Sequence, residues 1–255
     1  MKYISVAETA KKFSDNDLLN ILKYEKDGKI KGGIYHKLQI SLTYSSNHIE
    51  GSKLTEDQTR RIFETNTIGT DGNYLKVDDI VETVNHFRCI DHVIDNAKKP
   101  LTENMIKALH LMLKSGTMDS TARWFRVGDY KLRANEVGGE HTCPPEEVGE
   151  RMKLLIGEYN SKETKTLEDV VEFHQKFEMI HPFQDGNGRV GRLIMLKECL
   201  ANNIVPFIIN EEHRWSYYRG LREWNNEKRY LMDTCLSAQD EFRKWLIYFV
   251  IKEHE

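Results

Sequence analysis

The stretch HPFQDGNGRVGR, residues His181–Arg192, decides how the rest of this sequence is interpreted. Apolar residues with helical spacing run over 167–180 and lead into it, and a second helical pattern starts near Gly188. The glycines therefore lie at the start of a helix, where unpaired backbone N–H groups and the positive end of the helix dipole favour a bound anion. Because glycine lets the backbone approach a ligand closely, the pattern predicts a phosphate-binding loop.

The charged side chains of this loop fit the same chemistry. Arg189 and Arg192 lie three residues apart on the first helical turn, so they share a face and can both donate to phosphate oxygens. Two cations there oppose the helix dipole and cost up to about 1 kcal/mol unless an anion is present, which suggests a functional role. Asp185 is a hard oxygen ligand suited to Mg²⁺ on a nucleotide. His181 is the residue of the loop able to accept a hydroxyl proton near neutral pH.

The loop matches the pattern HPFx(D/E)GNGRxxR at every fixed position, and the chain therefore resembles the Fic-domain proteins. The resemblance implies an all-α fold, a Fic-type helical bundle with a small β-hairpin flap. It implies transfer of AMP from ATP, with Mg²⁺, to a Tyr, Ser or Thr hydroxyl of a target protein, with release of pyrophosphate. The roles that it implies are general base for His181, Mg²⁺ ligand for Asp185, α-phosphate binding for Gly186, Asn187 and Gly188, and β- and γ-phosphate binding for Arg189 and Arg192.

A second segment, SNHIEG at Ser46–Gly51, fits the pattern (S/T)xxxE(G/N), which marks an inhibitory helix in the same family. A helix that presents Glu50 to the nucleotide site can pair with Arg192 and remove the partner of the γ-phosphate. Ser46 lies one turn earlier on the same face. Because the segment precedes the catalytic core, the chain resembles the class with N-terminal intramolecular inhibition. Whether Glu50 also orients a water that removes AMP stays open.

Residues 129–141 predict a hairpin, because short β-prone pieces alternate there with glycines. It corresponds to the family's flap, which aligns an extended target segment by backbone pairing. The resemblance assigns target binding to four consecutive flap residues, Tyr130, Lys131, Leu132 and Arg133.

A later region resembles the part of the family that packs on the adenine and ribose, and we assign nucleotide binding there to Tyr218 and Asn225. Aromatic residues at helical spacing more often belong to the core. His174 and Glu178 lie four residues apart, but no second histidine completes HExxH spacing. We therefore interpret them as supports for the helix that leads into the loop.

The bulk composition fits a globular protein of ordinary type, with 39% hydrophobic and 30% charged residues. A net charge of −3 provides no overall positive field to attract nucleic acid. The four cysteines form no CxxC pair, which disfavours a zinc knuckle or a redox dithiol. No apolar run suits a signal peptide or a membrane helix, so we expect a cytoplasmic protein.

We expect a single domain over residues 1–255, with an N-terminal helical region that carries the inhibitory helix (about 34–51) and a Fic core (about 76–227). Periodicity and capping signals predict the following helices: 34–49, 55–63, 76–97, 102–113, 145–159, 167–180, one from about 188, 212–227 and 230–252.

Two other functions stay open. One is transfer of a different phosphate-containing group on the same fold, as in the related Doc proteins. Doc-like loops carry Lys after Asn, whereas Gly188 leaves room for the phosphates of ATP and favours AMP transfer. The other is a non-catalytic regulator that binds nucleotide, against which the complete loop argues. The expected partner is a protein substrate with a hydroxyl, and the sequence leaves open self-modification and a homo-oligomer.

Overall fold

The computed structural model describes residues 17–252, apart from residues 71, 73, 138 and 139. Over this part of the chain the fold is helical with one short hairpin, as the sequence predicts. The elements, in chain order, are α1 Asp17–Asp27, α2 Ile34–Ile49, α3 Glu56–Thr65, α4 Val77–Asn96, α5 Glu103–Lys114, a 3-10 turn Asp119–Thr121, β1 Glu136–Val137, β2 Glu140–His141, α6 Pro145–Ser161, α7 Leu167–Ile180, α8 Asn187–Ala201, α9 Arg214–Arg222 and α10 Arg229–Lys252.

Helix α8 is the centre of the molecule. Every residue from Asn187 to Leu200 is buried, and the helix contacts α2, α4, α5 and α7. A helix buried on all faces needs partners on every side, so the outer helices must surround it. Two apolar clusters do this. The larger joins Leu22 of α1 and Leu38 of α2 to Leu193 of α8 and Phe242 of α10, and the second packs against Met195 of α8.

A polar seam sets the register of α2 against α4. Gln39 Nε2 donates to Asp91 Oδ1 at 2.7 Å, the Thr43 hydroxyl lies 3.0 Å from His86 Nδ1, and Asn47 Nδ2 donates to the Thr83 hydroxyl at 3.3 Å. The three α2 residues are spaced by four, so each bond lies one turn further along the same face. This seam directs the C-terminal end of α2 towards the start of α8.

The hairpin is smaller than the sequence predicts. Its strands are two residues each, with Glu136 opposite His141 and Val137 opposite Glu140. Residues 129–135, expected to belong to the hairpin, form turns and irregular backbone, and three of them, Lys131, Arg133 and Asn135, donate to residues 182–184. The expected turn glycines, Gly138 and Gly139, lie outside the described residues.

The predicted helices agree closely with the structure. Two ranges, 34–49 and 167–180, are confirmed to the residue. The helix predicted over 212–227 is shorter, Arg214–Arg222, because residues 223–226 form turns. Helix α1, Asp17–Asp27, was not predicted. None of the described helices has the length and apolar character needed to span a membrane.

Candidate active site

The loop between α7 and α8 reverses the chain through two left-handed residues. His181 caps α7 with φ +51°, and Gly186 precedes α8 with φ +82°. A left-handed conformation costs a residue with a side chain on the order of 1–3 kcal/mol, so the surrounding structure must enforce it at His181. The hydrogen bond from His181 N to Phe177 O, 2.9 Å, is one such constraint.

Asn187 fixes the shape of this loop from inside. Its Oδ1 accepts from Phe183 N and its Nδ2 donates to Phe183 O, both at 2.8 Å, and the residue is almost fully buried. Each end of the amide thus has a bond to the loop backbone, and phosphate binding by Asn187 stays a prediction.

His181 is held as a neutral imidazole. Burial, together with the nearby Lys131 ammonium, lowers its pKa to about 4, against opposing effects of the Glu178 carbonyl and of the Glu50 and Asp185 carboxylates. An unprotonated imidazole at neutral pH is the form that can accept a proton from a hydroxyl.

The contact expected between Glu50 and Arg192 is formed. Arg192 Nη2 donates to Glu50 Oε1 at 2.6 Å and to Ser46 O at 3.0 Å, and Arg192 Nε donates to the Ser46 hydroxyl at 2.9 Å. A Cβ atom on Gly188 would collide with Glu50 Oε1. The carboxylate of α2 therefore lies against the first turn of α8, where backbone N–H groups favour an anion.

A four-charge network surrounds the other side of the loop. Lys114 Nζ lies 2.6 Å from Asp185 Oδ2, and Arg189 Nη2 lies 3.4 Å from the same oxygen. The Glu82 carboxylate pairs with both cations, Lys114 and Arg189. Burial raises the pKa of the Asp185 carboxyl, but Arg189 and Lys114 outweigh it and lower that pKa to about 2. His110 Nε2 lies 3.1 Å from the Asp185 carbonyl oxygen. Asp185 is thus an ionised carboxylate beside the phosphate cradle, the loop residues Gly186–Gly188 with Arg189 and Arg192 of α8.

Sequence reasoning missed two members of this network, Glu82 of α4 and Lys114 of α5. They lie 107 and 71 residues before their partners Arg189 and Asp185, on helices with ordinary charged faces. A charged residue on an amphipathic helix is usually solvated, so no local signal distinguished them.

The flap is bonded to the catalytic loop. Lys131 N donates to Pro182 O at 2.9 Å, Arg133 N to Gln184 Oε1 at 3.3 Å, and Asn135 Nδ2 to Phe183 O at 3.1 Å. Leu132 and the side chain of Arg133 remain exposed, whereas the ring of Tyr130 packs against Phe183. The backbone of the flap is therefore positioned by the same residues that surround His181.

Lys131, which the resemblance assigns to target binding through the flap, has a buried side chain. It is 2% exposed, and its ammonium donates to Asn135 Oδ1 at 2.7 Å, to the Thr142 hydroxyl at 2.6 Å and to Ile180 O at 3.4 Å. Burial lowers its pKa to about 8. The side chain holds the flap to the end of α7 and presents no surface to a partner.

The two residues assigned to the adenine end separate in the structure. Tyr218 is 38% exposed, and burial followed by the Glu50 carboxylate raises the pKa of its hydroxyl, which places it near the cradle. Asn225 follows α9 in a turn and lines a surface groove together with Glu172, Gln175 and Lys176 of α7. Its assignment to nucleotide binding stays a prediction.

Comparison with known proteins addresses the identity of this site. Residues 100–199, which include the loop, match the model of the Fic/DOC family. Over this segment the chain is similar to the Fic/DOC family. The Fic match begins after α2, so Ser46 and Glu50 lie outside the residues that it covers.

Curated relatives and solved structures agree with the Fic assignment. The protein adenylyltransferase Fic of Nematostella vectensis is 27% identical over 187 residues, 72% of this chain and 42% of the relative. The protein adenylyltransferase Fic of Drosophila melanogaster is 28% identical over 191 residues, which are 70% of this chain and 36% of the relative. The chain thus spans less than half the length of these relatives. A Fic-domain-containing signaling protein from Bacteroides thetaiotaomicron superposes with a TM-score of 0.71 at 23% identity over 90% of this chain and 94% of that one. Fic-1 from C. elegans superposes with a TM-score of 0.69 at 19% identity, over 94% of this chain and 74% of that one.

Replacement of Asn187 by Ala is expected to destabilise the Fic loop. It leaves Phe183 N and Phe183 O buried without their partners, a loss of roughly 2–4 kcal/mol in the free energy of unfolding. Urea unfolding measures the change. The matched control is Asn226→Ala, whose exposed side chain bonds only Glu223 and should change stability by less than about 0.5 kcal/mol. Equal effects of the two substitutions would contradict the role of Asn187.

Replacement of Lys131 by Met is expected to raise the pKa of His181, because it removes a positive charge that disfavours the imidazolium. NMR titration of the His181 ring measures this. Lys107→Met, which removes an ammonium paired with Glu103 and Asp129, serves as the control and should leave His181 unchanged. An unchanged or lowered His181 pKa in Lys131→Met would overturn the electrostatic argument.

Proposed function

We propose that this chain is a protein adenylyltransferase that transfers AMP from ATP to a hydroxyl of a target protein and is held inactive by Glu50. The observation that carries the proposal is the carboxylate of Glu50 on Arg192 and against Gly188, at the head of a helix whose first turn otherwise suits phosphate. The curated relatives named as protein adenylyltransferases support the reaction type.

The reaction follows from the order of groups along the Fic loop. His181 takes the proton from the target hydroxyl, whose oxygen bonds to the α-phosphorus while the bond from that phosphorus to the pyrophosphate oxygen breaks. The backbone N–H groups of Gly186 and Gly188 donate to the α-phosphate oxygens and stabilise the negative charge that develops there. Arg189 and Arg192 hold the departing pyrophosphate, which carries most of the negative charge. The chemistry is mainly positioning and charge stabilisation.

The residues present fit a Mg²⁺ ion that arrives with the nucleotide. Asp185 offers an ionised carboxylate beside the cradle, and Mg²⁺ in nucleotide sites is commonly held by one or two carboxylates together with phosphate oxygens and water. The described residues contain no group of three or more His, Cys, Asp or Glu side chains able to hold a metal by themselves. Bound there, the ion would neutralise phosphate charge. Asp185 would be its protein ligand.

Inhibition follows from competition for one cation. Arg192 is buried and already bonded to Ser46 and Glu50, so a phosphate can reach its Nη2 only when the Glu50 carboxylate withdraws. Glu50 is the last residue before Gly51, which has a left-handed φ of +99° that ends α2. The flap, with Leu132 and Arg133 exposed beside the loop, is the surface proposed to receive the target segment.

Labelled-AMP transfer tests the function. We expect weak transfer from α-labelled ATP by the native chain, strong transfer by Glu50→Gly, and none by Glu50→Gly combined with His181→Ala. Glu56→Ala is the control for loss of a carboxylate nearby on α3 and should behave as the native chain. Label transferred from γ-labelled and not from α-labelled ATP would show phosphorylation instead. Transfer that survives His181→Ala would refute the general-base role.

Glu50→Gly is also expected to lower stability. It leaves the buried Arg192 cation without its carboxylate, and because Glu50 is partly exposed and Ser46 still bonds Arg192, we expect a loss of about 1–3 kcal/mol. That corresponds to a Tm lower by about 2–4 °C for each kcal/mol. Saturating ATP with Mg²⁺ should restore Tm in the variant more than it raises Tm in the native chain. Equal ATP-dependent shifts in both chains would show that Glu50 does not compete with nucleotide.

A further inference from the structure

Lys114, the last residue of α5, is a cation buried beside the Fic loop. It is 3% exposed, which is rare for a lysine unless it is paired, and its ammonium contacts the carboxylates of Glu82 and Asp185. Its aliphatic stem packs on the loop: a Cβ atom on Gly186 would lie 3.5 Å from Lys114 Cδ. The stem of Lys114 is therefore in van der Waals range of a side chain at Gly186, the first glycine of the phosphate-binding loop.

The network around Lys114 is balanced in charge but has donors to spare. Two cations, Lys114 and Arg189, face two carboxylates, Glu82 and Asp185. The Lys114 ammonium has three N–H donors, and two oxygens of the described residues, Glu82 Oε1 and Asp185 Oδ2, accept from it. Arg189 is also buried, and its Nε has no partner there. Lys114 and Arg189 can thus each donate to a further anionic oxygen while keeping the contact with the Glu82 carboxylate.

We propose that Lys114 is a third cation of the phosphate cradle, which pairs with Asp185 in the resting chain and donates to a phosphate oxygen once a divalent metal takes Asp185. The inference rests on the proposed function. Glu82 keeps the ammonium in place, so it cannot follow Asp185 or withdraw to solvent when that carboxylate turns to a metal. A buried ammonium that loses an acceptor needs another, and a phosphate oxygen on the Gly186 side supplies it.

The same arrangement gives Lys114 a second effect when no metal is present. Asp185 then keeps its negative charge beside the site of the phosphates, and Lys114 is one of the two cations that neutralise it. Removal of Lys114 should therefore weaken metal-free nucleotide binding strongly, because the Asp185 carboxylate, no longer neutralised by the ammonium, repels the phosphates. With Mg²⁺ the ion neutralises Asp185, and only the lost donor remains to weaken binding.

The test measures ATP binding by calorimetry with the full chain carrying Glu50→Gly, once with Mg²⁺ and once with EDTA. Adding Lys114→Met should raise the Kd by up to about tenfold with Mg²⁺ and by about a further tenfold or more with EDTA. Lys107→Met, on the same helix and also paired with two carboxylates, is the matched control and should change neither Kd. Lys114→Gln repeats the test with a polar neutral side chain, and circular dichroism verifies that each variant is folded.

The outcomes separate this inference from the proposed function. ATP binding by Glu50→Gly that Lys114→Met and Lys114→Gln leave unchanged would overturn the role of Lys114 alone. An equal loss with and without Mg²⁺, or loss of the folded state in both variants, would assign Lys114 to the scaffold and also overturn it. Failure of Glu50→Gly to bind ATP in either solution would overturn the proposed function, and the role of Lys114 with it.

Discussion

Two arginines buried in the first two turns of α8 set the conditions that the rest of the candidate site must meet. Arg189 and Arg192 are both less than 5% exposed, at the end of a helix where the dipole already opposes positive charge. A buried cation without a counterion is strongly destabilising. Carboxylates must therefore come from outside α8, and they come from Glu50 after α2 and Glu82 of α4. Docking of those helices and burial of the arginines depend on each other.

The two pairings differ in permanence. Glu82 lies on a long central helix with its carboxylate between two cations, so it is part of the scaffold. Glu50 lies just past the end of α2, is 26% exposed, and touches the cradle with one carboxylate. Under the proposed function, an incoming polyphosphate would replace the Glu50 carboxylate and leave Glu82 in place. Ligand binding and the position of the end of α2 are consequently coupled, since both draw on Arg192.

The sequence alone predicted the helices well because local signals define them: the stripe at 167–180 and the stop at Gly51 both correspond to real helix ends. The loop and its contact with Glu50 were recognisable from a resemblance that joins two distant segments. The sequence did not predict the roles of residues whose function depends on whether the side chain points into the protein or towards solvent. Asn187 and Lys131 are polar residues in a loop and a flap, and whether such a side chain points outwards or inwards is decided by tertiary packing. Lys114 and Glu82 were missed for the same reason.

The bond between Glu50 and Arg192 joins residues 142 positions apart in a single chain. The two groups are therefore present to each other at an effective concentration fixed by the fold and by the polar seam that aligns α2 with α4. Dilution of the protein does not loosen such a contact, as it would loosen one made by a separate inhibitor. A soluble carboxylate added from outside would have to match that local concentration, whereas under the proposed function a nucleotide would compete by engaging several cations and backbone N–H groups at once.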